Sequence, residues 1–221
     1  MKQLPAGLIA IAIGLGASSA CTVPAPHYAT DPAELAADGL RPVESSGFRK
    51  GWVRAGVSFD DYDAVWPLYR GLSYRHAPRS PRAALGNTDY ALPEDLEAVL
   101  LAALEEIFAE ELTQSGGWRV ANAQGSRAMA VVISLVDVVV HAPLTTPGGD
   151  DLVWIRRVAD VTVVIELFDS QSGSVLARFA ERQSVLPVSR RPIRATPGPT
   201  KYEMRRIFRA WAQALRGVID A

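Results

Sequence analysis

The side chains of this chain with chemistry to offer are one thiol, three imidazoles and a short run of guanidinium groups. The thiol is the most informative, because Cys21 is the single cysteine among 221 residues. It follows an apolar stretch from Ala6 to Ala17, preceded by Lys2 and closed by the small residues Ala17-Ser18-Ser19-Ala20. A charged start, an apolar middle and a small-residue end are the parts of an export leader. The apolar stretch falls well short of the roughly 20 residues a membrane-crossing helix requires. In this position the Cys21 thiol is set to be joined to diacylglycerol, with the leader over 1–20 removed before it and the new N-terminus acylated. Several acyl chains then hold firmly where one alone binds marginally, since each buried methylene contributes about 0.8 kcal/mol. The plainer alternative is a small-x-small cleavage site that Cys21 merely follows. Ser18 stands where lipoprotein leaders usually carry Leu, but chance seldom puts a chain's only cysteine at that one place. The expectation is a lipid anchor at Cys21.

The other reactive templates fail on countable residues. A lone cysteine excludes a disulfide framework. The histidines are His27, His76 and His141, with no H-E-x-x-H and no Cys/His spacing for a metal, so neither metal nor cofactor is expected. Gly56-Val57-Ser58-Phe59-Asp60 approaches a nucleophile elbow but lacks its final Gly and precedes no helix. No phosphate-binding G-x-x-x-x-G-K occurs. Asp137, Asp160 and Glu166 lie on neighbouring strands and could be read as carboxylates for acid-base work. Arg156 and Arg157 nearby make cross-strand ion pairing the better account, and His141 at a strand end is better read as a hydrogen-bonded or solvated imidazole than as a ligand. No enzyme is expected. Arg190, Arg191 and Arg194, with Lys201, stand between prolines. They are candidates to grip an anion or an acidic partner surface, the competing reading being a solvated linker stiffened by proline.

Composition sets the frame for these sites. Hydrophobic residues make up 48% and charged residues 21%, as in a globular protein, and a formal net charge of −1 gives no field to attract nucleic acid. Residues 21–50, with Pro24, Pro26, Pro32 and Pro42, read as a flexible tether, leaving 51–221 as a single domain. There a strand is predicted over 63–74, edge or bulged because of Pro67. A helix opens at Pro93 with Leu96, Val99, Leu100, Ala103, Leu104, Ile107 and Phe108 on one face and glutamates on the other. A nearly continuous apolar strand follows over 128–141, then alternation over 153–167, a tight turn at Asp169–Gly173 and a partner strand over 174–184. Thr200-Lys201-Tyr202-Glu203 reads as a capping box opening a second helix, which buries Met204, Ile207, Phe208, Trp211, Leu215 and Ile219 and exposes arginines. Helices side by side, one acidic and one basic, would attract. The expected fold is α+β: an antiparallel sheet of four to five strands with two helices packed on one face.

Ser58-Phe59-Asp60-Asp61-Tyr62-Asp63, Val136-Asp137-Val138, the Asp169–Gly173 turn and the terminal helix around Phe208 and Trp211 together resemble the bacterial lipoproteins of domain of unknown function 3313. The resemblance runs from about Phe48 to the end and implies an envelope lipoprotein, with no catalytic residues to carry over. The functional expectation is a non-catalytic cell-envelope lipoprotein that binds a partner protein or an envelope component. Thr22 follows the cysteine where Asp would signal inner-membrane retention, so the outer membrane facing the periplasm is expected. The alternative is an accessory lipoprotein of an envelope transport system handling lipid or hydrophobic cargo, for which a cleft between helices and sheet is needed. A hydrolase comes third.

Overall fold

The computed structural model describes residues 38–44, 46–75, 90–114, 117–141 and 154–221. Cys21 and its leader lie outside them. The elements run β1 (Leu40–Pro42), β2 (Lys50–Arg54), a 3₁₀ turn (Phe59–Asp61), β3 (Ala64–Tyr74), α1 (Glu94–Thr113), β4 (Arg119–Val120), β5 (Ala128–Val140), β6 (Trp154–Ile155), β7 (Ala159–Asp169), β8 (Val175–Val185), β9 (Ile193–Arg194) and α2 (Pro197–Ile219).

Seven strands form one sheet in the order β1-β2-β8-β7-β5-β3-β4, and β6 and β9 form a separate two-stranded ribbon. The expected four to five strands are therefore too few. The sheet is also mixed. Its β1, β2, β8, β7 and β5 neighbours are antiparallel, but β3 pairs parallel with both β5 and β4. The chain leaves β3, runs through α1 and returns, and a strand returning through a helix lies parallel to the one it left. Pro67 is accommodated as expected, because β4 covers only Ala64 and Val65 of β3. Beyond them the other edge of β3 is free of described strands, so the missing amide costs no ladder bond.

The tether expected over 21–50 ends early. Leu40–Pro42 pairs with Trp52–Arg54, and Lys50–Val53 pairs with Ala177–Ala180 of β8. Two stretches too short to show a period are held by distant partners instead. Gly51 allows the close approach: a Cβ there would lie 2.5 Å from the Ser46 hydroxyl and 3.1 Å from the Phe179 ring. Phe48 stacks on Phe179 with ring centroids 5.2 Å apart.

Both helices share one apolar cluster with a face of the sheet. Leu100, Leu104, Ile107 and Phe108 of α1 and Ile207, Phe208, Trp211 and Leu215 of α2 meet Val131, Ile133, Val163 and Ile165. The three-four spacing read from sequence is this buried stripe, except for Val99, expected on it but 42% exposed. Each large side chain so buried contributes about 1.5–3 kcal/mol. The second helix starts earlier than expected, at Pro197, where a proline in the first turn loses no hydrogen bond. The capping box is not formed. Thr200 lies inside the helix and its hydroxyl donates to the Thr196 carbonyl at 3.0 Å, while Glu203 accepts the Val188 amide at 2.9 Å.

The sheet's other face carries the polar side of the alternation, but it is not a solvent face. Asp160, Thr162 and Glu166 are all buried. Trp52 packs on Val136, Val164 and Ala180, and Arg70 lies over the Phe168 ring at 5.9 Å.

Candidate functional site

The carboxylates singled out from sequence separate into three environments. Asp137 is exposed, at a bulge where the β5–β7 register slips, and takes a left-handed φ of 54° that Asp tolerates better than most residues. Glu166 sits directly opposite Arg178. Its Oε1 accepts Nε and Nη2 of Arg178 at 3.0 and 2.8 Å, and its Oε2 accepts Nη1 of Arg70 at 2.9 Å. Arg178 also reaches Asp38 at 3.2 Å. Ion pairing is thus the right account of Glu166, but its partners are Arg70 and Arg178 and not Arg156 or Arg157.

Asp160 gathers the most varied chemistry. The ends of three adjacent strands place His141, just past β5, Asp160 on β7 and Ser184 on β8 in one group. His141 Nε2 is 2.8 Å from Asp160 Oδ2, Ser184 donates its hydroxyl to Oδ1, and Arg157 donates to Oδ2 at 3.3 Å. Burial raises the Asp160 pKa, but the bonds from Ser184 and His141 and the Arg157 charge outweigh it and hold the carboxyl below its ordinary value. The three residue types are those of a hydrolytic triad in the wrong order. An activated serine gives its proton to an imidazole that the acid orients; here the acid is in the middle and takes both hydrogen bonds. A carboxylate of lowered pKa is a poor base, so this group ties three strand ends together and does not arm a nucleophile. Sequence reading missed Ser184. Counting partners outward from the Asp169–Gly173 turn would have put Gln183 opposite Asp160; the bulge between Leu167 and Phe168 shifts the register by one and brings Ser184 there.

The arginine-rich connection between β8 and α2 is built differently. Val185 and Pro187 are buried while Leu186 and Val188 between and beyond them are 47% and 58% exposed. The segment is pinned to α2 by the Glu203 bond to Val188 and by Arg206, which donates to the Leu186 carbonyl at 3.2 Å and to Glu203 at 3.1 Å. A turn closed by the Arg190 amide on the Pro187 carbonyl at 2.9 Å puts Arg190 at a φ of 52°. The chain then pairs as β9 with β6, setting Arg194 opposite Trp154. Arg190, Arg191 and Arg194 are all exposed and make no salt bridge among the described residues. Trp154 is 59% exposed and Tyr202, in the first turns of α2, 64%. The connection is a fixed and solvated surface, part of a ribbon and a turn.

Between helices and sheet, Leu72, Leu100, Leu135, Val138, Val161 and Met204 line an apolar cavity of about 10 Å³, room for a single water. Among the described residues no three His, Cys, Asp or Glu side chains gather as metal ligands, and no helix is long and apolar enough to cross a membrane. His27 and His76 lie outside the described residues.

No family model and no curated protein matches the chain, so the resemblance to domain of unknown function 3313 has no such match behind it. Among solved structures the chain is similar to two of a PelC dodecamer from Paraburkholderia phytofirmans, one of them a point variant. Both are 16% identical with a TM-score of 0.34, covering 82% and 75% of this chain and 98% of the PelC chain. A Xanthomonas campestris protein of domain of unknown function 330 is 13% identical with a TM-score of 0.36, over 72% of this chain and 90% of that one. These likenesses are loose.

Proposed function

We propose that this chain is a non-catalytic cell-envelope lipoprotein, anchored at Cys21 and facing the periplasm, whose folded domain binds a partner protein or an envelope component. The outer membrane and kinship with domain of unknown function 3313 belong to the same proposal. The observation that carries it is the single cysteine placed directly after an export leader. Two features of the domain agree with it. The Ser, His and Asp that meet around Asp160 are in an order that does not activate the serine. The exposed end at Arg190, Arg191, Arg194, Trp154 and Tyr202 offers cations beside apolar side chains, as contact surfaces do. The experiment is fractionation of cells making the chain with and without Cys21→Ser. The unaltered chain in washed membranes carries fatty acid supplied to the cells and lacks residues 1–20, and the variant carries no fatty acid. Equal fatty-acid labelling of the two would refute the anchor.

The second reading is the accessory lipoprotein for hydrophobic cargo, and the apolar lining between helices and sheet favours it. At about 10 Å³ the cavity admits no acyl chain, so this reading requires α1 and α2 to part from the sheet. A disulfide engineered between α1 and the sheet that left lipid uptake intact would remove it.

A further inference from the structure

One end of the domain combines two features, exposed aromatic and aliphatic side chains and cations unpaired among the described residues. Large apolar side chains stand exposed there, namely Trp154, Leu186, Val188 and Tyr202. Arg190, Arg191, Arg194 and Lys201 rise from the same turn, ribbon and helix start. Trp and Tyr beside Arg and Lys are the residues that settle at a bilayer's headgroup level, the rings among the acyl-chain ends and the cations at the phosphates. The backbone beneath them is fixed by the β6–β9 pairing and by the bonds of Glu203 and Arg206, so little ordering remains to oppose docking.

We propose that this end docks on an anionic phospholipid surface, with Trp154, Leu186, Val188 and Tyr202 entering the headgroup layer and Arg190, Arg191, Arg194 and Lys201 facing the phosphates. The proposal rests on the lipoprotein reading for its setting and names the envelope component the domain touches. Charge supports this occupant. Leu92 before α1 and Thr200 of α2 line the same cavity, so Glu94, Asp95 and Glu97 in the first turn of α1 lie toward this end, and among the described residues the exposed Arg156, Arg190, Arg191, Arg194 and Lys201 outnumber them. Chain length supports it as well. The described chain begins beside Arg178, which Asp38 contacts at 3.2 Å. From there to the end of β8 at Val185 is about 23 Å at about 3.3 Å per residue. Asp38 is 17 residues on from Cys21, a length that can reach at most about 55 Å, enough for a lipid at Cys21 and the docked end to share one bilayer.

The test uses the mature chain from residue 21 with Cys21→Ser, so that neither leader nor acyl group contributes, and vesicles of either pure phosphatidylcholine or phosphatidylcholine with about 30% of the anionic phosphatidylglycerol. The chain binds the anionic vesicles more tightly, and the triple variant Arg190→Ser, Arg191→Ser, Arg194→Ser loses on the order of a hundred-fold, since each cation near an anionic surface is worth about five-fold. Quenching of tryptophan fluorescence by brominated acyl chains falls in Trp154→Ser. Circular dichroism checks that both variants keep the fold. Equal binding to the two vesicle types, or unchanged binding by the triple variant, overturns the proposal and leaves an acidic protein surface as the occupant; unchanged quenching in Trp154→Ser overturns the insertion. The two readings fail separately. Vesicle docking without cellular lipidation sinks the anchor alone, and lipidation without vesicle docking sinks this inference alone.

Discussion

In the seam between the two helices, Arg209 and Arg216 of α2 close on the buried carboxylate of Glu111 at 3.0 and 3.5 Å, with Gln213 at 3.3 Å, and Arg205 meets Glu106 at 3.3 Å. A few residues upstream, Arg190, Arg191 and Arg194 stand in solvent with no acidic partner among the described residues. The same side chain therefore serves as a clasp in one region and as an open contact in the other. The difference lies in what faces it. The seam pairs an acidic helix with a basic one, as the sequence implied, whereas the β8–α2 turn faces outward from a ribbon. An arginine that already satisfies a buried acid is costly to remove and unavailable to a partner. One left exposed contributes little to the fold and is free to bind.

Four changes break or sharpen that contrast. The largest effect belongs to Glu166→Gln, which takes the carboxylate from both Arg70 and the buried Arg178 and leaves Arg178 only its half-exposed partner Asp38; a loss of about 3 kcal/mol in urea unfolding is expected. Glu111→Gln loosens the helix seam by less, about 1–2 kcal/mol, because Arg209 is 46% exposed and water replaces its partner. A loss equal to that of Glu166→Gln would erase the distinction between buried and half-exposed clasps.

Asp160→Asn comes next, at about 1 kcal/mol near neutral pH, and its signature is in acid. The folded carboxyl lies below its unfolded value of 3.8. Its stabilisation is thus present above that pH and fades as pH falls through the lower folded value. The stability gap between the unaltered chain and the variant should narrow there, and a gap independent of pH would contradict the hydrogen-bonded account. Smallest is the triple serine variant at 190, 191 and 194, expected within about 0.5 kcal/mol of the parent in thermal melts. A loss of several kcal/mol would mean that these arginines hold the fold.

Much of the fold was legible where signals are local. The β3 strand with its Pro67, the α1 stripe, the apolar β5 and the Asp169 turn all follow from short-range pattern. In that turn Asp169 accepts the Gln171 and Ser172 amides and Gly173 takes a φ of 69°. What escaped was set by distant partners. Leu40–Pro42 is three residues long with a proline, and only β2 makes it a strand. The parallel return of β5 beside β3 depends on α1 packing, which no periodicity shows. Alternation put Asp160, Thr162 and Glu166 on one face correctly, yet partners from elsewhere in the chain cover them, Arg70 and Arg178 at Glu166 and His141, Arg157 and Ser184 at Asp160. At the candidate site the arginines were legible as a cluster. Their apolar neighbours Trp154 and Tyr202 were not, because β6 and β9 are two residues each and meet only in the fold.

The central claim, a domain held to a membrane through one modified residue, is tested most directly by the intact mass and N-terminal peptide of the chain recovered from cell envelopes. The account predicts a chain beginning at Cys21, with a diacylglyceryl thioether and an acylated amine. A free thiol at Cys21, or a chain that retains residues 1–20, would contradict it.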